Sequence, residues 1–378
     1  MKINKRIQIF REFMEQKGVR LSLIWDPDNQ YYLSGFRAII YSRPIVTLIH
    51  ADKTELIVPG LEELHALEKA KVDKLYVYYE QIDMAHKEIS YLDHLTRLIK
   101  KYPAGTKLGV ELGLLPASVY LFLQEQGFEL VDVGQKIINM RAIKDEQEIE
   151  LLKVAGQLSD YAIGESLKHA RAGISELEFD SYGDKFLLEI ASKDYPEELI
   201  GYANWTCSGI KRSAMPHLYS STRKFADGDV VVHSRQVWFN GYRAENERTF
   251  FVGKPSEKQK DLLKLAIEAQ RVGMEMIQPG ITAKEVDIAS YQVFKKAGYG
   301  EYVNHRIGHG LGLSEHEEPY LRFDNDLVLE EGMVYTIEPG VYVPGLGGFR
   351  HSDTIILTKT GSFSITQYPR ELEYMLFD

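Results

Sequence analysis

Between positions 305 and 321 the chain reads HRIGHGLGLSEHEEPYL, and this stretch restricts the fold more than any other. Its glycines recur too often for a helix. Its histidines and carboxylates alternate with strand-forming residues, so the segment belongs on a sheet, where it would line a concave polar site. VYTIEPG, around Glu338, and GGFRHSD, around Arg350, follow with the same mixture of strand formers, glycines and charge. The glycines of GHGLG and PGLGG read as tight-turn residues and not as a phosphate loop. A reaction centre is thus outlined in the last third of the chain, and its partners must come from elsewhere.

At 378 residues the chain is too long for one core, which rarely grows beyond roughly 250–300 residues, so two domains are expected. With 44% hydrophobic and 26% charged residues the composition is that of a globular protein without disordered segments. A formal net charge of -10 disfavours nucleic acid and anionic membranes as partners. Cys207 is the only cysteine, which excludes an intrachain disulfide and fits a reducing, cytoplasmic setting. The N-terminal MKINKRIQIFREFMEQKG has helical spacing and no apolar signal core, and no apolar run is long enough to span a membrane.

After that first helix, LSLIW (21–25) reads as a buried strand and DPDNQYYLSGF as a loop with turn chemistry. PIVTLIHADKTELIVPG has the form of a hairpin, and further strands are expected at LYVYY (75–79), KLGVE (107–111) and ELVDV (129–133), with helical spacing in SYLDHLTRLIKKY between them. Residues 1–135 therefore form a small α/β domain. A strongly periodic helix, DEQEIELLKVAGQLSDYAIGESL, opens a second domain over residues 136–378. Ser175 with Glu178, Ser256 with Gln259 and Thr282 with Glu285 are capping-box pairs, each expected to start a helix. These helices would pack on a curved, largely antiparallel sheet, an α+β arrangement.

GDVVVHSRQVWFNGYRAENERTFFVG, HRIGHGLGLSEHEEPYL, VYTIEPG and GGFRHSD together resemble the creatinase/prolidase/aminopeptidase P family, whose catalytic domain has the pita-bread fold. The resemblance spans nearly the whole chain, because an α/β N-terminal domain of this size is also the family arrangement. In the peptidase branch five side chains hold two divalent metals, and the five matching positions here are Ser234, Glu245, His309, Glu338 and Ser352. Only three of these can bind metal, since a serine hydroxyl does not replace a carboxylate around a hard ion. Adjacent strand residues face opposite ways, so His233 and His351 are not expected to fill the gaps. The resemblance then points to the branch that works without metal, and the expectation is a protein with no cofactor.

The same resemblance places particular roles. SGIKRSAMPHLYS resembles the creatinase segment carrying the catalytic histidine, which assigns that role to His217. ENERTFF and Glu338 resemble segments whose glutamates grip a substrate guanidinium, which adds Glu247 and Glu338 to the catalytic set. YYLSGFRAIIYSR matches a stretch whose aromatic and arginine hold substrate in the partner subunit's site, giving Tyr41 and Arg43 and implying a homodimer. His305, His309, His316 and Glu245 complete the substrate-binding set. Such carbon centres are poor electrophiles, so hydrolysis needs a base for water and an acid for the leaving nitrogen, and one histidine can do both in turn. Paired carboxylates would fix a planar cation.

Two departures from creatinase stand out. Tyr320 occupies the place of a creatinase arginine, with Arg322 two residues on, and Ser352 replaces a histidine. The expected function is metal-independent hydrolysis of an amidine, guanidine or amide C–N bond in a small zwitterion. The alternatives are an Xaa-Pro dipeptidase with a remodelled metal site and a non-catalytic binding protein on the same fold.

Overall fold

The computed structural model describes residues 3–84 and 87–378, so Met1 and Lys2 of the expected N-terminal helix lie outside the described residues. The chain divides into two compact units, Met1–Arg141 and Ala142–Asp378.

In the first unit the helix Ile3–Lys17 leads to six strands: β1 (Leu21–Ile24), β2 (Val46–His50), β3 (Thr54–Pro59), β4 (Lys74–Tyr78), β5 (Lys107–Val110) and β6 (Glu129–Asp132). They form one sheet in the order β4-β3-β2-β1-β5-β6. The pairs β1–β2 and β2–β3 are antiparallel, and the outer pairs are parallel. β1, β2 and β3 are buried along their whole length, which is why they read as unbroken apolar runs. The helix Tyr91–Ile99 contributes Leu95, Leu98 and Ile99 to the core beneath them.

Where a loop was expected after β1, residues Pro27–Ser34 form a helix. The Asp26 carboxylate accepts the Asn29 N–H at 2.8 Å. Pro27 takes the first position, where a missing N–H costs nothing, and Gly35 ends the helix at φ 71°. The turn residues were helix caps.

The second unit contains β7 (Ile200–Ser208), β8 (Asp229–Phe239), β9 (Tyr242–Val252), β10 (Gly308–Gly310), β11 (Glu317–Leu321), β12 (Val334–Ile337), β13 (Gly340–Val343), β14 (Gly347–Arg350) and β15 (Ser352–Thr358), most of them in one curved, mostly antiparallel sheet. The main path runs β11-β10-β12-β15-β9-β8-β7, and β13 pairs with β14 as a separate hairpin. β8 and β9 pair over their full length from Asp229↔Val252 to Phe239↔Tyr242. Asn240 and Gly241 join them at φ 48° and 88°, the left-handed pair that a two-residue hairpin turn requires. The helix Glu146–Lys168 packs across β8 and β9, and Glu176–Asp194 packs on that helix. Ser175, Ser256 and Thr282 each cap a helix through the side chain, although only Ser256 and Thr282 form the reciprocal box. The molecule is an α/β N-terminal domain followed by a pita-bread domain.

The GHG glycines are not turn residues. A Cβ on Gly308 would lie 1.9 Å from the Thr336 carbonyl oxygen, and one on Gly310 would lie 2.6 Å from that of Glu318. Glycine lets β11 and β12 close on β10, where the register shifts between His309 and Gly310. Gly345 and Gly347, at φ 80° and 118°, do turn the chain between β13 and β14.

Candidate active site

Strand register places the altered positions next to one another. Glu247 on β9 lies opposite Ser234 on β8 and opposite Ser352 on β15, so the three share one face. Glu245, two residues earlier on that face, lies opposite Gln236. Ser352 Oγ donates to Glu245 Oε1 at 2.7 Å, and Gln236 Nε2 donates to Oε2 at 2.8 Å. The hydroxyl at a former ligand position now orients a carboxylate.

Glu245, His309 and Glu338 converge, with their candidate ligand atoms all within 4.8 Å of one another and every residue buried. His309 donates from Nδ1 to the Gly310 carbonyl at 3.0 Å, which assigns its proton and leaves the Nε2 lone pair facing the carboxylates. Nε2 stands 3.2 Å from Glu338 Oε1. The contact is close yet not aligned as a hydrogen bond, and Nε2 is buried with no other partner. Burial alone would lower the His309 pKa, but Glu338 and Glu245 outweigh it and the net direction is up. Burial likewise opposes ionisation of Glu338, and His309 and Arg350 hold its pKa well below the usual carboxylate range. A proton or an ion at Nε2 would offset the charge of the two facing carboxylates. Two carboxylates and one imidazole with a fixed tautomer suit a single divalent ion.

His233 and His351 stay outside this cluster. His233 bonds Thr206 Oγ1 at 2.8 Å and packs edge-on against Phe179, and His351 Nε2 lies 3.3 Å from the Thr249 carbonyl.

Glu247 is not available to grip a substrate guanidinium. Arg350 Nε and Nη2 donate to its two oxygens at 2.5 Å each, in a pair removed from solvent. Burial would lower the Arg350 pKa, yet the adjacent Glu247 carries it further up. The guanidinium that Glu247 binds is the chain's own. Arg350 Nη1 also approaches Glu338 Oε2 at 3.8 Å.

Glu338 and Arg350 open with His217, His305 and His316 onto a cavity of about 560 Å3. His217 is exposed on its wall, in the loop after the short helix Gly209–Ser213. His305 donates from Nδ1 to the Arg306 carbonyl at 2.7 Å and accepts the Tyr342 hydroxyl at Nε2 at 2.8 Å, so both ring nitrogens are engaged. Burial, then the nearby Arg350, lowers its pKa to about 4. The His316 ring stacks on His309 at 3.7 Å between centroids. Burial, then His309, lowers its pKa to about 4, so it is neutral near pH 7. Tyr41 and Arg43 belong to the N-terminal unit, where Tyr41 is 88% exposed and Arg43 Nε donates to Glu80 at 2.6 Å.

Tyr342, Gln236 and Arg306 were not singled out from the sequence. Tyr342 is recoverable in retrospect, as it alternates with Gly340 on the strand that follows Glu338. Gln236 and Arg306 carry no pattern of their own and become visible only through register and loop geometry.

The second unit is thus a pita-bread half-barrel with two carboxylates and a histidine at its centre. Residues 150–359 match the model of metallopeptidase family M24, and residues 6–143 match the creatinase/prolidase N-terminal domain. The chain belongs to metallopeptidase family M24 and is a hydrolase of C–N bonds. The Xaa-Pro dipeptidase of Pyrococcus horikoshii is 33% identical over 98% of this chain and 99% of its own. Among solved structures, the prolidase from Thermococcus sibiricus superposes with a TM-score of 0.88 at 29% identity, over 100% of this chain and 99% of that one. The Xaa-Pro dipeptidase from Bacillus anthracis does so with a TM-score of 0.86 at 30% identity, over the whole of both chains.

Proposed function

We propose that this chain hydrolyses dipeptides of the Xaa-Pro type with one divalent ion held by Glu245, His309 and Glu338. The observation that carries this reading is the buried His309 Nε2, aimed at two carboxylates and otherwise without a partner. It displaces the metal-free reading of the sequence, which required Glu247 to hold a substrate cation while Arg350 already occupies it. The similarity over essentially full length to proteins named as Xaa-Pro dipeptidases supports the same direction.

Glu245 would be held as a ligand by Ser352 and Gln236, and His309 by the Gly310 carbonyl. An ion bound there supplies Lewis acidity and a more acidic water. His217, exposed on the cavity wall, would pass a proton to the leaving nitrogen. Arg350 places a fixed positive charge beside Glu338, where oxyanion charge would otherwise be repelled.

The test is metal analysis of manganese-loaded protein together with turnover of an Xaa-Pro dipeptide. One ion per chain, activity lost in chelator, and loss of both in Glu338→Gln are expected. Undiminished turnover after exhaustive chelation would sink the reading.

A further inference from the structure

His217 reaches the cavity on a loop whose two ends are drawn onto one carboxylate. Glu176, the first residue of the helix Glu176–Asp194, is fully buried. Its Oε1 accepts the Ser208 N–H at 2.8 Å, the Ser208 hydroxyl at 2.6 Å and Arg212 Nε at 3.1 Å. Its Oε2 accepts Arg212 Nη2 at 2.9 Å and both the N–H and the hydroxyl of Ser221 at 2.8 Å. One turn further along the same helix face, Asp180 accepts Thr206 Oγ1 at 2.5 Å and the Ser220 hydroxyl, while Ser220 Oγ accepts the Thr206 N–H at 2.7 Å. Thr206 and Ser208 precede the loop, and Ser220 and Ser221 follow it, so each carboxylate ties its entry to its exit.

Burial opposes ionisation of Glu176, but the Ser208, Arg212 and Ser221 donors outweigh it and its pKa lies below the usual carboxylate value. Only an ionised carboxylate accepts at both oxygens. Each oxygen holds one backbone N–H, and a backbone N–H cannot be turned round. A glutamine here must therefore set its own NH2 group against Ser208 or Ser221, whichever way the amide is flipped. Beneath the loop lies the chain's only thiol. Cys207 is buried, with Sγ 3.3 Å from the Leu218 carbonyl and 3.7 Å from that of Met215, residues that bracket His217. Burial raises its pKa to about 11, so the sulfur is both screened and protonated while the loop stays seated.

We propose that Glu176 is a positioning residue, which holds His217 at the cavity wall by clamping the entry and exit of its loop. This rests on the reading above, in which His217 passes a proton to the leaving nitrogen. The partners of the Glu176 carboxylate all belong to the loop and its two ends. A loosened loop thus misplaces His217 and leaves Glu245, His309 and Glu338 where they are.

The experiment compares the manganese-loaded protein with Glu176→Gln. It follows native-state labelling of Cys207 by a soluble aromatic disulfide, manganese content, and turnover of an Xaa-Pro dipeptide. Labelling is expected to be about tenfold or more faster, as loss of hydrogen bonds to a charged group implies. Manganese content stays unchanged, and kcat falls about tenfold to a hundredfold with KM changed far less, the loss that a misplacement of about 1 Å brings. Glu176→Asp, which keeps the charge on a shorter stem, falls between. His217→Ala loses turnover without faster labelling, and adding Glu176→Gln to it costs no further turnover, as holds for residues that act as one unit. Arg212→Gln removes one partner of the carboxylate and moves labelling and kcat the same way by less, which keeps the proposal falsifiable should Glu176→Gln not fold. Labelling at the wild-type rate in Glu176→Gln overturns the clamp. Faster labelling with unchanged kcat, or with manganese lost, overturns the action through His217. A loaded wild-type protein that cleaves no Xaa-Pro dipeptide defeats the functional reading, whereas the labelling rates still decide the clamp.

Discussion

Glu247 illustrates how one residue can match a motif in sequence and differ in role. Its neighbours across the sheet, Ser234 and Ser352, have no charge, so the only carboxylate in that row would be buried without a counterion if Arg350 did not reach it. Removing one member of such a pair strands the other, which typically costs about 3–5 kcal/mol, whereas replacing both by apolar groups is often nearly neutral. Glu247→Leu should therefore destabilise the protein by about that amount, and Glu247→Leu with Arg350→Met should recover most of it, as read from urea unfolding of the four species. Additive losses would show that the two side chains do not act as a pair. The sequence reading assigned Glu247 to a substrate guanidinium from the resemblance of ENERTFF, and could not see that Arg350, on another strand, reaches it, while the adjacent Arg248 is buried against Asp353 at 2.9 Å. Register is a long-range property, and no local pattern encodes it.

At the scale of elements, Asp160 joins the helix Glu146–Lys168 to β9 and to the chain after β15. Its carboxylate accepts the Asn246 amide at 2.5 Å and the N–H groups of Gln367 and Tyr368 at 2.6 and 3.1 Å. Burial raises its pKa from 3.8 to about 6 despite these donors. A raised folded-state value means that its contribution to stability is fully present below about pH 4 and is lost as pH rises through about 6. Between pH 4 and pH 8 the wild-type protein should lose up to about 3 kcal/mol relative to Asp160→Asn, measured as the difference in unfolding free energy at each pH. A difference that does not change with pH would remove Asp160 from the account. Elements of this kind were largely legible in the sequence. Apolar runs marked β1 to β6, and serine or threonine three residues before glutamate or glutamine marked three helix starts. Illegible were the helix start made by Asp26, which read as a loop, and the glycines of β10, whose reason is a neighbouring backbone far away in sequence. In the site, the segments carrying Glu245, His309 and Glu338 were identified, but the tautomer of His309 and the occupation of Glu247 follow from tertiary contacts alone.

At the scale of the whole molecule, the second unit contains the cluster of Glu245, His309 and Glu338 together with His217, whereas Tyr41 and Arg43 belong to the N-terminal unit. Tyr41 is 88% exposed and Ile39, two residues before it, 75% exposed, so both are accessible to a partner. A second copy of the chain would cover them in a symmetric dimer, with Tyr41 and Arg43 of one protomer completing the site of the other. Arg43→Ala and His217→Ala homodimers would then each carry two defective sites. In a mixed dimer one site combines both defects, and the other keeps an intact His217 together with an intact Arg43. Random exchange of equal amounts gives half mixed dimers with one working site in each, so about one quarter of wild-type activity should return on mixing. The measurement is turnover before and after subunit exchange at a concentration where gel filtration shows a dimer. Activity that stays at the sum of the two separate variants would mean that each protomer uses only its own residues, and that the exposed Ile39 and Tyr41 serve some other contact.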